Sequence, residues 1–95
     1  MPKRTLYWTP KALTSYNDIL TQIVEKWGPK PMLKLDNKLT ELLNDMKEFG
    51  KMCPVSKKKG IHRCVLSKQT SLIYRINGEQ IELLEFFHNR SKHPY

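Results

Sequence analysis

The sequence predicts an α+β fold in which one strand precedes a helical hairpin and a three-stranded antiparallel meander follows it. Apolar residues recur every three or four positions through the first half of the chain, and from residue 61 onward the period falls to two. Helices followed by a group of strands are typical of α+β domains, whereas parallel sheets alternate strands with helices. The chain has 95 residues and is expected to form one domain over residues 1–95.

The first strand is predicted over residues 6–9, a short apolar and aromatic run that ends at Pro10. Thr9 and Pro10 then mark a helix start, because a threonine hydroxyl can accept a hydrogen bond from a free backbone N–H and proline fits the first helical position. Apolar residues at helical spacing follow: Leu13, Tyr16, Leu20, Ile23 and Trp27. Gly28 and Pro29 are expected to end this helix.

A second helix is predicted from Pro31 to a stop at Gly50. Its apolar residues have the same spacing: Met32, Leu35, Leu39, Leu42 and Met46. Two helices joined by so short a turn form an antiparallel hairpin. We expect the hairpin to pack on one face of the sheet through six apolar side chains: Leu13, Tyr16, Leu20, Leu35, Leu39 and Leu42.

A lysine-rich loop and three strands are predicted for the rest of the chain. Residues 51–60 contain proline, serine and glycine and read as the loop. Strands are predicted over residues 61–66, 71–76 and 81–87. Asn77 and Gly78 favour a two-residue hairpin turn, because both positions tolerate positive φ. Apolar residues on both faces of the last strand indicate a central strand.

The charge is concentrated in the second half of the chain. The net charge is +8, and residues 49–95 carry nine Lys and Arg against three Asp and Glu, whereas residues 1–48 carry eight against six. This asymmetry suggests an anionic partner, such as nucleic acid, a ribonucleoprotein or an acidic protein segment. Scattered surface lysines also keep a small protein soluble, so charge alone does not choose among these partners.

Cys53 and Cys64 are expected to be reduced, because a disulfide-stapled domain of this size usually carries more cysteines. Two cysteines without a second Cys/His pair also make a poor zinc site, so no metal or other cofactor is expected. No apolar run approaches the ~18–20 residues of a membrane span. The first residues lack the apolar region of a signal peptide, and a cytoplasmic protein is expected.

Several stretches together resemble the RelE/ParE toxin superfamily. They are Trp8-Thr9-Pro10-Lys11-Ala12, Glu25-Lys26-Trp27-Gly28, Ile73-Tyr74-Arg75-Ile76-Asn77-Gly78, Ile81-Glu82-Leu83-Leu84, and Phe87-His88-Asn89-Arg90 with Pro94. The ending and the long hairpin look most like the ParE branch. The resemblance implies a growth-arresting toxin that a cognate antitoxin neutralises. It leans towards inhibition of DNA gyrase by binding, with a ribosome-dependent mRNA endonuclease as one alternative and a non-toxic nucleic-acid-binding domain as another.

Metal-free RNA cleavage would need a base, an acid and cations around one phosphate. The candidates are His88, Arg90, Arg63 and Tyr95. The candidates for binding nucleic acid or another target are Lys57, Lys58, Lys59, Arg63 and Arg75. Two of these sets have a structural alternative: a solvated loop for the three lysines, and for Arg63 an ion pair across the sheet with Glu79, Glu82 or Glu85. We hypothesise that His88, Arg90 and Arg63 converge at one end of the sheet.

Overall fold

The computed structural model describes residues 4–49 and 53–90 of the chain. Within these ranges the order of elements is the predicted one, with strands lengthened or shortened by a residue or two. The elements are β1 (Thr5–Trp8), α1 (Pro10–Trp27), α2 (Pro29–Phe49), β2 (His62–Val65), β3 (Thr70–Asn77) and β4 (Gln80–His88). The predicted α+β fold is therefore confirmed.

The helical hairpin starts where the sequence indicates and turns more tightly than expected. Thr9 is the N-cap of α1, and its hydroxyl accepts a hydrogen bond from the backbone N–H of Ala12 at 3.2 Å. Gly28 separates the two helices with a φ of 85°, a left-handed conformation that glycine adopts without a steric penalty. The second helix begins at Pro29 rather than at Pro31, because proline is well suited to the first turn of a helix.

The four strands form one sheet in the order β1-β4-β3-β2. The last three strands are an antiparallel meander, as predicted, and β1 adds to its edge parallel to β4. The hairpin between β3 and β4 turns at Gly78 and Glu79, between the paired residues Asn77 and Gln80. Gly78 has a φ of 63° and Asn77 does not have a positive φ, so the predicted turn at Asn77 and Gly78 was placed one residue too early. Farther from the turn, the β3–β4 register shifts between Ile73 and Tyr74, which leaves Leu84 of β4 without an opposite residue.

This β-bulge reverses the side-chain alternation along β4. Before it, Ile81 and Leu83 face the helices and belong to the core. Beyond it, Phe86 belongs to the core instead, and Phe87 points to the other face of the sheet, where it meets Arg63. We call the face away from the helices the open face.

The first helix also closes the edge of β4 beyond the end of β1. The Thr9 hydroxyl donates a hydrogen bond to the carbonyl of Leu83 at 2.7 Å, and the backbone N–H of Phe86 donates to Ser15 Oγ at 2.9 Å. Backbone groups that would otherwise face solvent at a strand edge thus find partners on the helix.

The core lies between the hairpin and the sheet. It comprises thirteen buried residues: Ala12, Tyr16, Leu35, Leu39, Leu43, Met46, Cys64, Leu66, Leu72, Tyr74, Ile81, Leu83 and Phe86. Of the six hairpin residues expected to pack here, Leu20 and Leu42 are partly buried, and Leu13 is 51% exposed, so its assignment to the core was wrong. Trp27 is likewise 55% exposed.

Three aromatic rings join β1, α1 and β4. The Phe86 ring lies 5.5 Å from that of Trp8 and 4.7 Å from that of Tyr16, measured between centroids. The Tyr16 hydroxyl donates a hydrogen bond to Asp36 Oδ1 at 2.7 Å and so ties α1 to α2. Burial, with the neighbouring Asp36 carboxylate, raises the pKa of Tyr16 far above its ordinary value.

Neither α1 nor α2 has an apolar stretch long enough to cross a membrane, and they are the helices of the described residues.

Candidate functional site

Arg63 lies on the open face at the centre of β2. Its Nε donates a hydrogen bond to Ser71 Oγ at 3.2 Å, and its guanidinium carbon lies 5.3 Å from the centre of the Phe87 ring. Neither Glu79 nor Glu82 nor Glu85 pairs with it, and within residues 4–49 and 53–90 its charge meets no carboxylate. Arg63 is therefore held in one orientation with its charge uncompensated by these residues.

Asn89, which the sequence analysis did not single out, fixes Ser71 in turn. The Ser71 hydroxyl donates a short hydrogen bond to Asn89 Oδ1. The amide nitrogen of Asn89 donates to the carbonyls of Ser67 and Lys68, at 3.0 and 2.9 Å. A polar chain from Arg63 through Ser71 and Asn89 thus crosses β2 and β3 and reaches the turn between them. An asparagine directly after a strand was the available signal, because its side chain can both donate and accept.

Arg75, a predicted target-binding residue, is engaged in an ion pair on the same face. Its Nε and Nη2 donate to Glu82 Oε2 at 3.1 and 2.9 Å, and Asn77 Nδ2 donates to Glu82 Oε1 at 3.1 Å. The hydrogen bond from Asn77, followed by that from Arg75, lowers the pKa of the Glu82 carboxyl. The charge of Arg75 is thereby compensated, which leaves it less available to a phosphate than Arg63.

His88 points away from Arg63. The Arg63 contact residues Ser71 and Phe87 face each other across β3 and β4, and the adjacent residue His88 has the opposite orientation. Its side chain lines a hollow beside Ile19 and Ile23 of α1. The hypothesis that His88 and Arg63 converge was therefore wrong, and the cause is the bulge at Leu84, without which strict alternation puts both on one face.

The other two catalytic candidates follow β4. Arg90 is exposed, and its backbone N–H donates to Nδ1 of His88 at 3.4 Å. Tyr95 lies outside the described residues. Of the three catalytic candidates that the structure describes, it brings together His88 and Arg90, through the backbone of Arg90, and not Arg63.

The lysine loop, residues 54–60, lies next to β2. Lys57, Lys58 and Lys59 are all exposed, and the Ser56 hydroxyl accepts a hydrogen bond from the backbone N–H of Lys58 at 3.1 Å. Lys57 and Arg63 line the same open hollow on the edge of the sheet. Two of the predicted target-binding groups are thus neighbours, as an electrostatic docking surface would require.

Cys53 and Cys64 form a disulfide bond, so the expectation of reduced cysteines was wrong. Val55 and His62 form an antiparallel bridge, and the chain on either side of the lysine loop is therefore paired like a hairpin. In this register Cys53 lies opposite Cys64, with 5.3 Å between their Cα atoms. The pairing could be read from the sequence only by recognising residues 54–60 as the turn of a hairpin centred between the cysteines.

A groove of about 300 Å³ opens between the hairpin and the turn that joins β2 to β3. Its apolar wall includes Ile23, Trp27 and Leu66, and Lys34 and Lys38 border it. Such a groove fits an apolar segment that carries acidic residues at its edges.

No group of three or more His, Cys, Asp or Glu side chains in residues 4–49 and 53–90 is arranged to hold a metal ion. His62, which is buried, stacks on the ring of Tyr74 at 5.1 Å, and its Nδ1 lies 2.8 Å from the carbonyl oxygen of Cys53. His62 is thus committed to the interior of the protein.

Comparison with known proteins connects this architecture to one family. The family model described as "ParE toxin of type II toxin-antitoxin system, parDE" matches residues 6–92. No curated protein matches the chain in sequence.

Solved structures share the fold at low sequence identity. The chain is similar to the chromosomal ParDE TA system from P. aeruginosa, with a TM-score of 0.76 and 22% identity over 90% of this chain and 96% of that one. It is similar to the YoeB-YefM complex from Staphylococcus aureus, with a TM-score of 0.62, 15% identity and coverages of 90% and 95%. For the toxin-antitoxin complex RelBE2 from Mycobacterium tuberculosis the TM-score is 0.55 and the identity 17%, with coverages of 92% and 99%.

Proposed function

The chain belongs to the ParE toxin family of type II toxin–antitoxin systems, and from this premise we propose that it inhibits DNA gyrase by binding it, without itself cutting nucleic acid. Within the wider superfamily, a common fold serves both binding and cleavage, so the side chains must carry the choice between them. Arg63 and His88 lie on opposite faces of the sheet, and this is the observation that supports binding over cleavage.

Cleavage would require a proton-transfer group beside the cation that holds the phosphate. His88 lies on the helix side of the sheet, and His62 is buried against Tyr74. Of the two histidines in the described residues, one is on the other face of the sheet and the other is buried. Neither is therefore placed to transfer a proton beside Arg63. A binding function needs no such arrangement.

The open face supports an electrostatic mode of binding. Arg63 is held by Ser71 and Phe87, and Lys57 lines the same hollow. A fixed guanidinium beside exposed lysines suits a complex of protein with DNA, because lysines increase the association rate and a held arginine adds affinity in the bound state. We therefore propose the open face and the lysine loop as the surface that contacts the gyrase–DNA complex.

The experiment is a gyrase supercoiling assay with the purified chain, run beside primer extension on a messenger RNA in a purified translation system. We expect supercoiling to be inhibited and the message to stay intact. Arg63→Ala should raise the inhibitory concentration by about fivefold or more. Lys30→Ala, an exposed lysine at the start of α2, is the matched control and should leave it unchanged.

New 5′ ends that form only with ribosomes would overturn this proposal and support a ribosome-dependent endonuclease. The observation that favours this second candidate is the polar chain that holds Arg63, since a preorganised cation can stabilise a transition-state phosphate. His88→Ala and Arg90→Ala would then identify whether either group takes part. Binding to DNA and RNA without effect in either assay would instead indicate the third possibility, a non-toxic nucleic-acid-binding domain.

We also propose that a cognate antitoxin neutralises the chain through an acidic amphipathic segment. The groove beside Trp27 supports this, because its wall is apolar and Lys34 and Lys38 border it. Trp27 is 55% exposed, so its fluorescence should shift to shorter wavelength when a cognate antitoxin is added. Trp27→Ala should weaken the complex by about tenfold or more, while Leu13→Ala, an exposed apolar residue elsewhere on α1, should not.

A further inference from the structure

We propose that the Cys53–Cys64 disulfide is a site of reversible exchange with a small anionic thiol of the glutathione class, and that Cys53 is the sulfur attacked. Two features carry this inference: both cysteines line an open hollow that Lys57 also lines, and hydrogen bonds join the segments around the disulfide in addition to the covalent bond. The hollow also belongs to the surface proposed above to contact the target, but the exchange chemistry does not depend on that proposed function.

The hollow beside β2 gives a thiol access to the disulfide. Both cysteines line it, together with Val55, Lys57 and Arg63. Cys53 is only partly buried, whereas Cys64 is 3% exposed, so an incoming thiol reaches Cys53 first. The sulfur of Cys64 is then the leaving group.

Lys57 favours the reaction with an anionic reagent. It is exposed and lines the same hollow as Cys53, so it attracts a thiol that carries carboxylates.

The chemistry needs no reagent besides the thiol. A thiolate attacks Sγ of Cys53, the bond between the cysteines breaks, and Cys64 departs as a thiolate while Cys53 carries a mixed disulfide. A second thiol molecule then attacks the sulfur of the bound thiol and releases Cys53. Two thiols are oxidised to one disulfide, and the protein disulfide is reduced by the same two electrons.

Hydrogen bonds also join the segments that the disulfide connects. The Arg63 N–H donates to the carbonyl of Pro54 at 3.0 Å, and the Ser56 N–H donates to that of Ile61 at 2.6 Å. On the other side, the backbone N–H of Cys53 donates to the Tyr74 hydroxyl at 3.2 Å. The cysteines thus stay opposite each other, so exchange can proceed and reverse without unfolding. A bound glutathionyl group would add negative charge beside the lysine loop.

The test uses the oxidised full-length chain with reduced glutathione and, separately, with the uncharged thiol 2-mercaptoethanol. Intact-mass spectrometry should show one glutathionyl adduct, and circular dichroism should show that the fully reduced chain keeps its secondary structure. Lys57→Gln should slow the reaction with glutathione by about two- to fivefold and leave the reaction with 2-mercaptoethanol unchanged. Lys30→Gln, the matched control, should change neither rate. Added salt should slow only the glutathione reaction.

The attacked sulfur is identified by peptide mapping of the trapped adduct, which should locate the glutathionyl group on Cys53. With oxidised glutathione, the single thiol of Cys64→Ser should form an adduct faster than that of Cys53→Ser. Three results would overturn the proposal: an exchange rate no greater than that of global unfolding, equal rates for Lys57→Gln and Lys30→Gln, or an adduct on Cys64. Loss of secondary structure on reduction would show that the bond is structural only.

Discussion

The two faces of the sheet hold their residues by different interactions. On the helix side, residues such as Leu72, Ile81 and Phe86 are fixed by apolar contact with α1 and α2. On the open face, side chains are fixed by two directional sets of hydrogen bonds, from Arg63 to Asn89 and from Arg75 to Glu82. Apolar packing tolerates small shifts, whereas a hydrogen bond is lost when its geometry fails.

The residues that stabilise the fold and the residues proposed to bind a target therefore lie on opposite faces of the sheet. The helix-covered face stabilises the fold in proportion to the apolar area that is buried there. The open face presents a charged group, Arg63, whose position depends on Ser71 and, through Ser71, on Asn89. The following substitutions test this separation, from the largest expected effect to the smallest.

Phe86→Ala should give the largest loss of stability. The ring is buried between those of Trp8 and Tyr16, and its removal leaves a cavity that joins three elements. We expect the free energy of unfolding, measured by urea denaturation, to fall by about 3–5 kcal/mol. Phe49→Ala removes an exposed ring and should change it by less than about 0.5 kcal/mol. Equal losses in the two variants would contradict the location of the core.

Asn89→Ala should give the largest effect on the open face. It leaves the fully buried Ser71 hydroxyl and the carbonyls of Ser67 and Lys68 without their side-chain partner. Stranded polar groups of this kind cost about 1–3 kcal/mol. Asn37→Ala, at an exposed site in α2, is the control and should be neutral.

A double-mutant cycle sharpens this test. Because Ser71 and Asn89 contact each other, Ser71→Ala and Asn89→Ala should be non-additive by about 0.5 kcal/mol or more. Additive effects would show that the two residues act independently, and the polar chain would then not be what positions Arg63.

Much of the helix-covered face could be predicted from the sequence. The threonine cap, the prolines and the spacing of apolar residues located both helices, and Tyr16, Leu35 and Leu39 are buried as expected. Helical periodicity assigns a stripe but not its width, which is why Leu13 was placed in the core. That residue follows the buried Ala12, lies about 100° further around the helix and is 51% exposed.

For the open face, the sequence indicated the charged residues but not which of them pair with each other. The sequence provided Arg63, Arg75 and three glutamates, and the structure pairs Glu82 with Arg75 rather than with Arg63. The choice depends on strand register, which β-bulges alter. The same bulge at Leu84 carried His88 to the other face, and nothing in the alternation of apolar residues along β4 marked its position, because both faces of that strand are apolar.

Arg63→Ala tests whether the candidate binding residue contributes to stability. The side chain stacks on Phe87 and is not in an ion pair with the described carboxylates, so its loss should lower the free energy of unfolding by only about 0.5–1 kcal/mol. Thermal denaturation beside the supercoiling assay measures both effects. A large loss of stability would mean that Arg63 holds the open face together and is not primarily a binding residue.

Glu82→Gln should have the smallest effect, and it depends on pH. Hydrogen bonds from Asn77 and Arg75 lower the folded-state pKa of Glu82 below its ordinary value of 4.5. The folded state therefore binds a proton less readily than the unfolded state, so this group contributes stability above about pH 4.5 that is lost as the pH falls through the folded pKa. Wild type should exceed Glu82→Gln in stability near neutral pH, and the difference should shrink towards acid. Urea denaturation across the acid range measures this, with Glu25→Gln, at an exposed site in α1, as the control. A difference that stays constant through that range would show that the ionised carboxylate of Glu82 does not stabilise the open face.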